Sequence, residues 1–270
     1  MCLSTSKKDI MIRRFNAFSD NYIWGIESHQ TISIVDPGQS YEVLKHLENS
    51  DQLYSIGAIL VTHRHYDHIG GIKDLTISRF AGSDLKISLN ELPVFNELPI
   101  FGPADCQKYG VTHVVSNGDT INIGDNIVEI LDIPGHTEQH VGYLFRFANN
   151  QLRPAFFCGD TLFGGGCGRV LGGSLIDLYE SLKKISKLPQ ETLIYCAHEY
   201  TEANLKFARE FFPDNSEIKR RFVQVKKDRE KLLPTIPTEL SCELKTNPYL
   251  TCKNFNEFKV IRMSKDNWKG

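Results

Sequence analysis

Short apolar runs separated by turn residues dominate the first two-thirds of the chain. Residues 22–28 and 31–35 are rich in β-branched and aromatic side chains, and only two polar residues separate them, which predicts a β-hairpin. Residues 120–123 and 127–133 flank Gly124-Asp125-Asn126 and predict a second hairpin. Similar runs predict further strands over residues 56–61, 141–147, 155–158 and 192–197.

Helical spacing of apolar residues appears between these strands and again towards the C-terminus. The clearest helix is predicted over residues 174–188. Leu175, Leu178 and Leu182 recur there at helical intervals, and Ser174 can cap the first turn. Further helices are predicted over residues 41–47, 203–212 and 216–232.

This mixture of strands and helices predicts an α/β sandwich with an additional helical part. The character of the chain changes after about His198, where strand signals give way to helical ones. We therefore expect a larger domain over residues 1–198 and a smaller, mainly helical domain over residues 199–270. The charged run at residues 226–231 is typical of a solvated helix face.

The composition excludes several classes of partner. The chain has 270 residues, 41% of them hydrophobic, so a core of normal size can form. Its 31 basic and 33 acidic residues leave a net charge of −2, which favours neither nucleic acid nor an anionic membrane surface. The sequence has no run of about 18 apolar residues and no apolar secretion signal, so no membrane partner is expected.

The cysteines favour a reducing compartment. Their number is seven, which is odd, and no C-x-x-C pair occurs among them. A disulfide framework or a cysteine zinc site is therefore not expected. Reduced thiols in a cytoplasmic protein are the simpler interpretation.

The segment that follows the strand predicted over residues 56–61 carries the strongest chemical signal. His63, His65, Asp67 and His68 lie within six residues, and imidazole and carboxylate groups suit zinc, iron or manganese. His63 and His65 point to the same side of an extended chain, whereas the next two candidates can turn towards a second point. A solvent loop that is merely rich in histidine is disfavoured, because further ligand candidates occur in matching contexts.

Three later residues stand where a predicted strand runs into a loop, the usual place for site residues. They are His136, Asp160 and His198. Each alone would more often be a turn residue or a structural histidine, but with the first segment they make seven candidates. One catalytic zinc needs three protein ligands, whereas two ions that share a carboxylate need about seven. We assign one ion to His63, His65 and His136, the other to Asp67, His68 and His198, and the bridging position to Asp160.

The expected cofactors are therefore two divalent metal ions. Zinc is the expected metal, and iron or manganese would suit the same ligands. His140, four residues after His136, either lines the site or makes a structural hydrogen bond, and the sequence leaves both alternatives open. The other histidines have no helpful context and are interpreted as surface or structural residues: His29, His46 and His113.

The spacing H-x-H-x-D-H, with the later histidine, aspartate and histidine, resembles the signature of the metallo-β-lactamase superfamily. Other segments narrow the resemblance to the glyoxalase II (hydroxyacylglutathione hydrolase) family. They are Phe18-Ser19-Asp20-Asn21-Tyr22-Ile23-Trp24, Val35-Asp36-Pro37-Gly38, Gly159-Asp160-Thr161-Leu162-Phe163 with Gly166-Cys167-Gly168-Arg169, and Ala197-His198-Glu199-Tyr200-Thr201 with Asn204-Leu205-Lys206-Phe207-Ala208. Near the C-terminus, Arg262 and Lys265-Asp266 resemble the basic pair of that family.

The resemblance implies a four-layer αββα sandwich as the catalytic domain over residues 1–198 and a substrate-binding helical domain over residues 199–270. It implies a thioester hydrolase that cleaves S-D-lactoylglutathione, an S-2-hydroxyacylglutathione, to glutathione and D-lactate. This is the second step of methylglyoxal detoxification. Water activated between the two ions would attack the thioester, with Asp67 and Asp160 as the catalytic residues. We expect a monomer that binds a glutathione thioester and no nucleic acid.

The resemblance also implies the contacts with glutathione. They are Arg169, Tyr200, Arg262 and Lys265. Glutathione carries two carboxylates, so cationic and hydroxyl partners are needed in an otherwise neutral protein. Two positions depart from the family pattern. Leu171 stands where some relatives have tyrosine, and Gln139 stands where many have glycine.

The superfamily resemblance leaves other reactions open, namely those of lactonases, other thioesterases, β-lactamases and sulfur dioxygenases. A dioxygenase with a single iron should not need Asp67, His68 and His198 in addition to the first group. A β-lactamase would usually carry an export signal. The neutral charge argues against a nucleic-acid-processing member. A non-catalytic scaffold is disfavoured because such relatives often lose ligands, whereas all seven candidates are present here.

Overall fold

The described part of the chain is arranged around two β-sheets. It comprises residues 10–28, 30–50, 55–78, 98–148 and 152–270 of the computed structural model. Cys2, one of the seven cysteines, and His29 lie outside these residues.

The first sheet contains strands β1 to β6 in the order of the chain. Their bounds are Met11–Ala17 (β1), Asn21–Ser28 (β2), Thr31–Val35 (β3), Ser55–Leu60 (β4), Ile100–Gly102 (β5) and His113–Val114 (β6). β2 and β3 form the first predicted hairpin, with Trp24 opposite Val35. The sequence does not predict β1, because it mixes charged and apolar residues. Antiparallel pairing with β2 along its whole length holds this strand in the sheet.

The second sheet has the strand order β14-β13-β10-β9-β8-β7. The bounds are Thr120–Ile123 (β7), Asn126–Asp132 (β8), Val141–Arg146 (β9), Ala155–Gly159 (β10), Leu193–Cys196 (β13) and Thr238–Glu239 (β14). β7 and β8 form the second predicted hairpin, and Gly124 supplies the positive φ of 58° that its turn requires. A small two-stranded sheet pairs Leu162–Phe163 (β11) with Gly166–Cys167 (β12).

Helices connect and cover the sheets. They are Tyr41–Asn49 (α1), Tyr66–Ile69 (α2), Ile72–Ser78 (α3), Leu175–Ile185 (α4), Thr201–Phe211 (α5), Ser216–Glu230 (α6), Leu240–Thr246 (α7), Pro248–Thr251 (α8) and Phe255–Asn267 (α9), with a 3-10 helix at Ala104–Tyr109. α4 begins as predicted, because Ser174 Oγ accepts a hydrogen bond from the Asp177 backbone N at 3.1 Å. The sequence does not predict α9, which begins with a cap by Asn254.

Packing places the elements in four layers. Trp24 of β2 shares a core with Tyr143 and Phe157 of the second sheet, so the two sheets face each other. Ile23, the preceding residue, points to the opposite face and packs with residues of α1 and α3. α4 packs against the second sheet through its apolar side, which includes Leu178. The order helix, sheet, sheet, helix confirms the predicted αββα sandwich.

The C-terminal elements are attached to the second sheet. β14 extends that sheet, with Glu239 opposite Leu193. Phe258 of α9 belongs to the main core, whereas α5 and α6 share a smaller core around Phe222. Within the described ranges, no helix combines the length and apolar character needed to cross a membrane.

Candidate metal centre

The turn after β3 holds the end of β4 in place. Asp36 accepts hydrogen bonds from the backbone N and from Oγ1 of Thr62, both at 2.8 Å. Its φ of 52° is a left-handed conformation that aspartate adopts more readily than most residues. These bonds fix the start of the segment that carries the first four ligand candidates.

Three imidazoles and a carboxylate form the first group. Nε2 of His63 and Nε2 of His136 each lie 3.0 Å from Nδ1 of His65. His136 presents Nε2 because its Nδ1 lies 2.7 Å from the carbonyl oxygen of Arg169, to which it can donate. With Asp160, the ligand-capable atoms of this group lie within 4.8 Å of one another. The structure thus brings together the residues assigned to the first ion.

Asp67, His68 and His198 form the second group. Oδ2 of Asp67 lies 3.3 Å from Nε2 of His198 and 3.6 Å from Nε2 of His68. Asp160 faces this group too, with Oδ1 3.5 Å from His68 Nε2 and Oδ2 3.4 Å from His198 Nε2. Oδ2 of Asp160 also lies 3.5 Å from Nε2 of His136 in the first group. Asp160 therefore lies between the two groups, where a bridging carboxylate would have to be.

Side chains behind these residues orient them. Asp20 Oδ1 accepts from Nδ1 of His198 at 2.7 Å, and Asn21 donates to Oδ2 of Asp67 at 2.8 Å. Asp36 Oδ2 faces Nδ1 of His68 at 3.0 Å. Partners of this kind fix the tautomer and orientation of a metal ligand.

The sequence alone gives no role to Asp20, Asn21 or Asp36, although all three stand within segments that resemble the glyoxalase II family. Their positions at the ends of buried strands, in the same sheet as the first ligand segment, were the available signal.

Opposite charges in the centre offset the effect of burial on the pKa values of these groups. Burial raises the pKa of the Asp160 carboxyl, but His68 and His198 together hold it well below its usual range. Burial lowers the pKa of His198, yet neighbouring carboxylates, led by Asp160, raise it to about 10. The ionised form of Asp160 is therefore favoured, and its negative charge attracts a cation to this place.

The donor set fits two divalent ions. Nε2 of His68 and Oδ1 of Asp160 are buried, and neither has a hydrogen-bond partner among the described residues. Buried polar atoms are rarely left unpaired, and a divalent ion bound beside these two atoms would satisfy both. Nitrogens bound to one tetrahedral zinc lie roughly 3.3 Å apart. The 3.0 Å separations between ring nitrogens in the first group are close to this value.

A cavity of about 410 Å³ lies beside the centre. Its lining includes residues of the centre, Leu171 and all four predicted substrate contacts, namely His136, Asp160, Arg169, Leu171, Tyr200, Arg262 and Lys265. The fold therefore brings metal-ligand candidates and the predicted substrate contacts into one pocket. Leu171 is about half exposed and presents an apolar side chain where some relatives have a hydroxyl.

The predicted substrate contacts differ in how freely they face the pocket. Tyr200 stacks on the ring of His198, with ring centroids 4.7 Å apart. Arg169 is largely exposed. Arg262 is only 3% exposed, and its Nη1 donates to the carbonyl oxygen of Cys167 at 3.0 Å. The guanidinium of Arg262 is thus partly engaged by the protein itself.

His140 makes a structural hydrogen bond. Its Nε2 accepts from the backbone N of Asp160 at 3.3 Å, and its ring stacks on His63 at 4.6 Å. This observation favours the structural alternative that the sequence left open. Gln139 accepts a hydrogen bond from the backbone N of Asp105 and does not line the cavity.

Two family models match consecutive parts of the chain. The model described as metallo-beta-lactamase superfamily matches residues 22–198, and the one described as hydroxyacylglutathione hydrolase C-terminus matches residues 199–268. A solved structure of ETHE1 from Myxococcus xanthus has a TM-score of 0.62 at 21% identity. The match covers 96% of this chain and 92% of that chain and supports the fold. The fold and the site together define a metallo-β-lactamase superfamily enzyme.

Proteins of similar sequence identify the family within this superfamily. A hydroxyacylglutathione hydrolase from Nitrosomonas eutropha is 42% identical over 238 residues, which are 87% of this chain and 83% of that protein. The hydroxyacylglutathione hydrolase from Photorhabdus laumondii is 41% identical over 243 residues, which are 89% of this chain and 86% of that protein. The chain belongs to the hydroxyacylglutathione hydrolase family.

Asp36→Asn is expected to weaken metal binding by about 10- to 100-fold, the usual effect of losing a partner behind a metal ligand. Asparagine tolerates the left-handed backbone, but its amide cannot replace both carboxylate oxygens that face Thr62 and His68. Metal content would be measured after equilibration in buffers of defined free zinc. Asp214→Asn, an exposed change, is the control. Equal metal affinity in both variants would remove Asp36 from the support of the centre.

Proposed function

We propose that this chain hydrolyses S-D-lactoylglutathione to glutathione and D-lactate. The observation that carries the proposal is the shared pocket, in which His136 and Asp160 of the centre meet Arg169, Tyr200, Arg262 and Lys265. The family membership supports the same reaction, because the relatives are named for hydrolysis of hydroxyacylglutathione. Hydrolysis of an anionic thioester needs the metal centre for the reaction and the cationic and hydroxyl side chains for binding.

We assign the metal ligands as the sequence predicts, with zinc in both positions. His63, His65 and His136 would hold one ion, Asp67, His68 and His198 would hold the other, and Asp160 would contribute to both. When bound there, two divalent ions would supply a nucleophile at neutral pH and would stabilise negative charge on the thioester carbonyl oxygen. Metal analysis of protein purified without added metal tests the identity, since iron or manganese in place of zinc would contradict it.

The side chains of the protein hold and orient the reactants. Asp67, with its carboxylate held by Asn21, is proposed to orient the attacking water. The cationic side chains and the hydroxyl in the pocket are proposed to bind the carboxylates of glutathione, namely Arg169, Arg262, Lys265 and Tyr200. The leaving thiolate has a pKa near ~8.5, so it departs without a strong general acid.

The remaining parts of the proposal concern organisation. We infer a catalytic domain over residues 1–198, a substrate-binding domain over residues 199–270, and a monomer in the cytoplasm. Six cysteines of the described residues are free thiols, which is typical of a reducing compartment. Light scattering of the purified protein tests the monomer, and a mass of two chains would contradict it.

The central test follows the loss of thioester absorbance with purified protein and S-D-lactoylglutathione, with and without prior chelation. Turnover with kcat/KM above about 10⁴ M⁻¹s⁻¹, an ordinary enzyme value, is expected, together with its loss on chelation. A lactone, a β-lactam and a phosphodiester serve as comparison substrates. Faster turnover of any of these three would overturn the substrate assignment.

Affinity for the substrate is expected to fall as the pH rises through about 8. Burial lowers the pKa of Lys265 to about 8. Arg262 and Arg169 act in the same direction, and Glu210 opposes them. Below this pH the ammonium is charged and can pair with a carboxylate of glutathione, whereas above it the amine is neutral. KM should therefore rise on the alkaline side.

Lys265→Arg is the matched variant, because arginine stays charged across this range. KM would be measured for both proteins at pH values on either side of 8. The same alkaline rise in both proteins would show that another group causes it.

A further inference from the structure

A buried carboxylate lies behind the loop that forms one wall of the pocket. We call residues 163–168 the glycine-rich loop. Glu243 of α7 is fully buried, and its Oε2 accepts a hydrogen bond from the backbone N of Gly165 at 2.9 Å. Its Oε1 accepts from Thr238 Oγ1 at 2.8 Å and from Nη2 of Arg221. One side chain thus links the loop to α6, α7 and β14.

This ion pair is difficult to explain as a source of stability alone. Arg221 and Glu243 are both withdrawn from water, and apolar residues of similar volume often stabilise a fold equally well. What an apolar side chain could not do is accept the hydrogen bond of the Gly165 amide. The specific effect of Glu243 is therefore to fix the position of the Gly165 amide.

Other side chains from the helical part hold the same loop. Nδ2 of Asn247 lies 2.9 Å from the carbonyl oxygen of Gly166, 3.1 Å from that of Phe163 and 3.0 Å from Oε2 of Glu243. Asn204 donates to the carbonyl oxygen of Gly164 at 3.2 Å. The backbone of the glycine-rich loop is therefore held at successive residues from behind.

The front of the loop faces the centre and the pocket. The ring of Phe163 lies against Tyr200, with centroids 5.3 Å apart. The carbonyl oxygen of Cys167 accepts from Arg262, as described above. A Cβ at Gly168 would lie 2.1 Å from the carbonyl oxygen of Asp160, so the loop passes directly over the bridging candidate. Any shift of this loop would move substrate-binding groups.

We propose that Glu243, together with Arg221 and Asn247, is a positioning element that fixes the glycine-rich loop as a wall of the substrate pocket. This role rests on the proposed thioesterase function for its kinetic consequences, but the position of the loop can be measured without turnover. Glu243 touches neither the substrate pocket nor the ligand candidates, and it acts through the backbone of Gly165.

The test uses Glu243→Gln in the full chain. Glutamine offers one acceptor oxygen where the carboxylate serves four donors, so its amide must face a donor and one or more bonds are lost. We expect hydrogen exchange of the amides at residues 163–168 to become about tenfold faster or more, the effect of losing a hydrogen bond to a charged group. KM for S-D-lactoylglutathione should rise more than kcat falls, with the metal content unchanged.

Three further variants separate positioning from stability. Glu243→Asp keeps the negative charge beside Arg221, but its shorter side chain withdraws the carboxylate from the amide of Gly165. It takes the place of the glutamine variant if that variant does not fold, and the same changes in loop exchange and KM are expected. Val225→Ala weakens the small core of α5 and α6 without touching the loop. Glu239→Gln alters an exposed carboxylate on the neighbouring strand. Both controls should keep the loop exchange and KM of the unchanged protein.

Unchanged loop exchange in a folded Glu243→Gln protein would overturn the proposal. It would also fail if Val225→Ala, at a similar loss of thermal stability, produced the same changes in KM and exchange. If the unchanged protein did not cleave the thioester, the proposed function would fail. The exchange measurement would still decide whether Glu243 fixes the loop.

Discussion

Asp160→Ala is expected to remove bound metal and hydrolysis together. Its carboxylate is the group that faces both sets of ligand candidates, because Oδ2 lies 3.5 Å from Nε2 of His136 in the first group and 3.4 Å from Nε2 of His198 in the second. Without it, His68 and His198 lose the charge that attracts a cation. We expect fewer than two ions per chain and a loss of kcat/KM beyond about 100-fold, more than an outer partner costs.

The measurement is metal content per chain by elemental analysis, alongside thioester hydrolysis, in protein whose fold is checked by circular dichroism. Asp214→Ala, an exposed aspartate before α6, is the control and should keep both properties. If Asp160→Ala retained two ions per chain, the bridging assignment would be wrong, whatever happened to activity.

Arg262→Ala is expected to raise KM for the glutathione thioester with a smaller change in kcat. Hydrogen bonds to charged groups contribute about 1.5–3 kcal/mol, so the expected rise in KM is roughly 10- to 150-fold. Part of this effect would come from the loop, because Arg262 donates to the carbonyl oxygen of Cys167. The remainder of the rise in KM would come from the lost pairing between Arg262 and a carboxylate of glutathione.

Steady-state kinetics would separate the change in KM from the change in kcat, with metal content measured in the same sample. Arg262→Lys keeps the charge but not the planar fork, so it should recover only part of the affinity. Arg220→Ala, on the exposed side of α6, is the control. An unchanged KM in Arg262→Ala would remove this residue from the binding site.

Local patterns predicted the elements whose determinants are close in sequence. Both predicted hairpins occur, because the turn residues and the flanking apolar runs are adjacent in the chain. α4 follows its apolar spacing and its Ser174 cap. β1 and α9 were not predicted because their sequences are mixed in polarity. β1 pairs with the strand that follows it in the chain, β2, whereas α9 packs on a main core built from distant elements.

The seven ligand candidates could be selected from the sequence because four of them cluster within six residues after a predicted strand, and the other three stand where predicted strands run into loops. The structure places them together in two groups, and their role as ligands stays a prediction. The residues behind them could not be assigned in the same way. Asp20 and His198 are 178 residues apart, and no local pattern reports a hydrogen bond over that distance.

The sequence by itself determined the chemistry of this protein: the imidazoles and carboxylates, the strands that end at them, and the basic residues near the C-terminus. Only the tertiary structure decided how these groups are held. It turned Arg262 towards a backbone carbonyl, placed Asp36 behind His68, and buried Glu243 against the amide of Gly165. The reason is physical, because the direction of a hydrogen bond depends on the packing of distant elements, which local patterns of polarity do not specify.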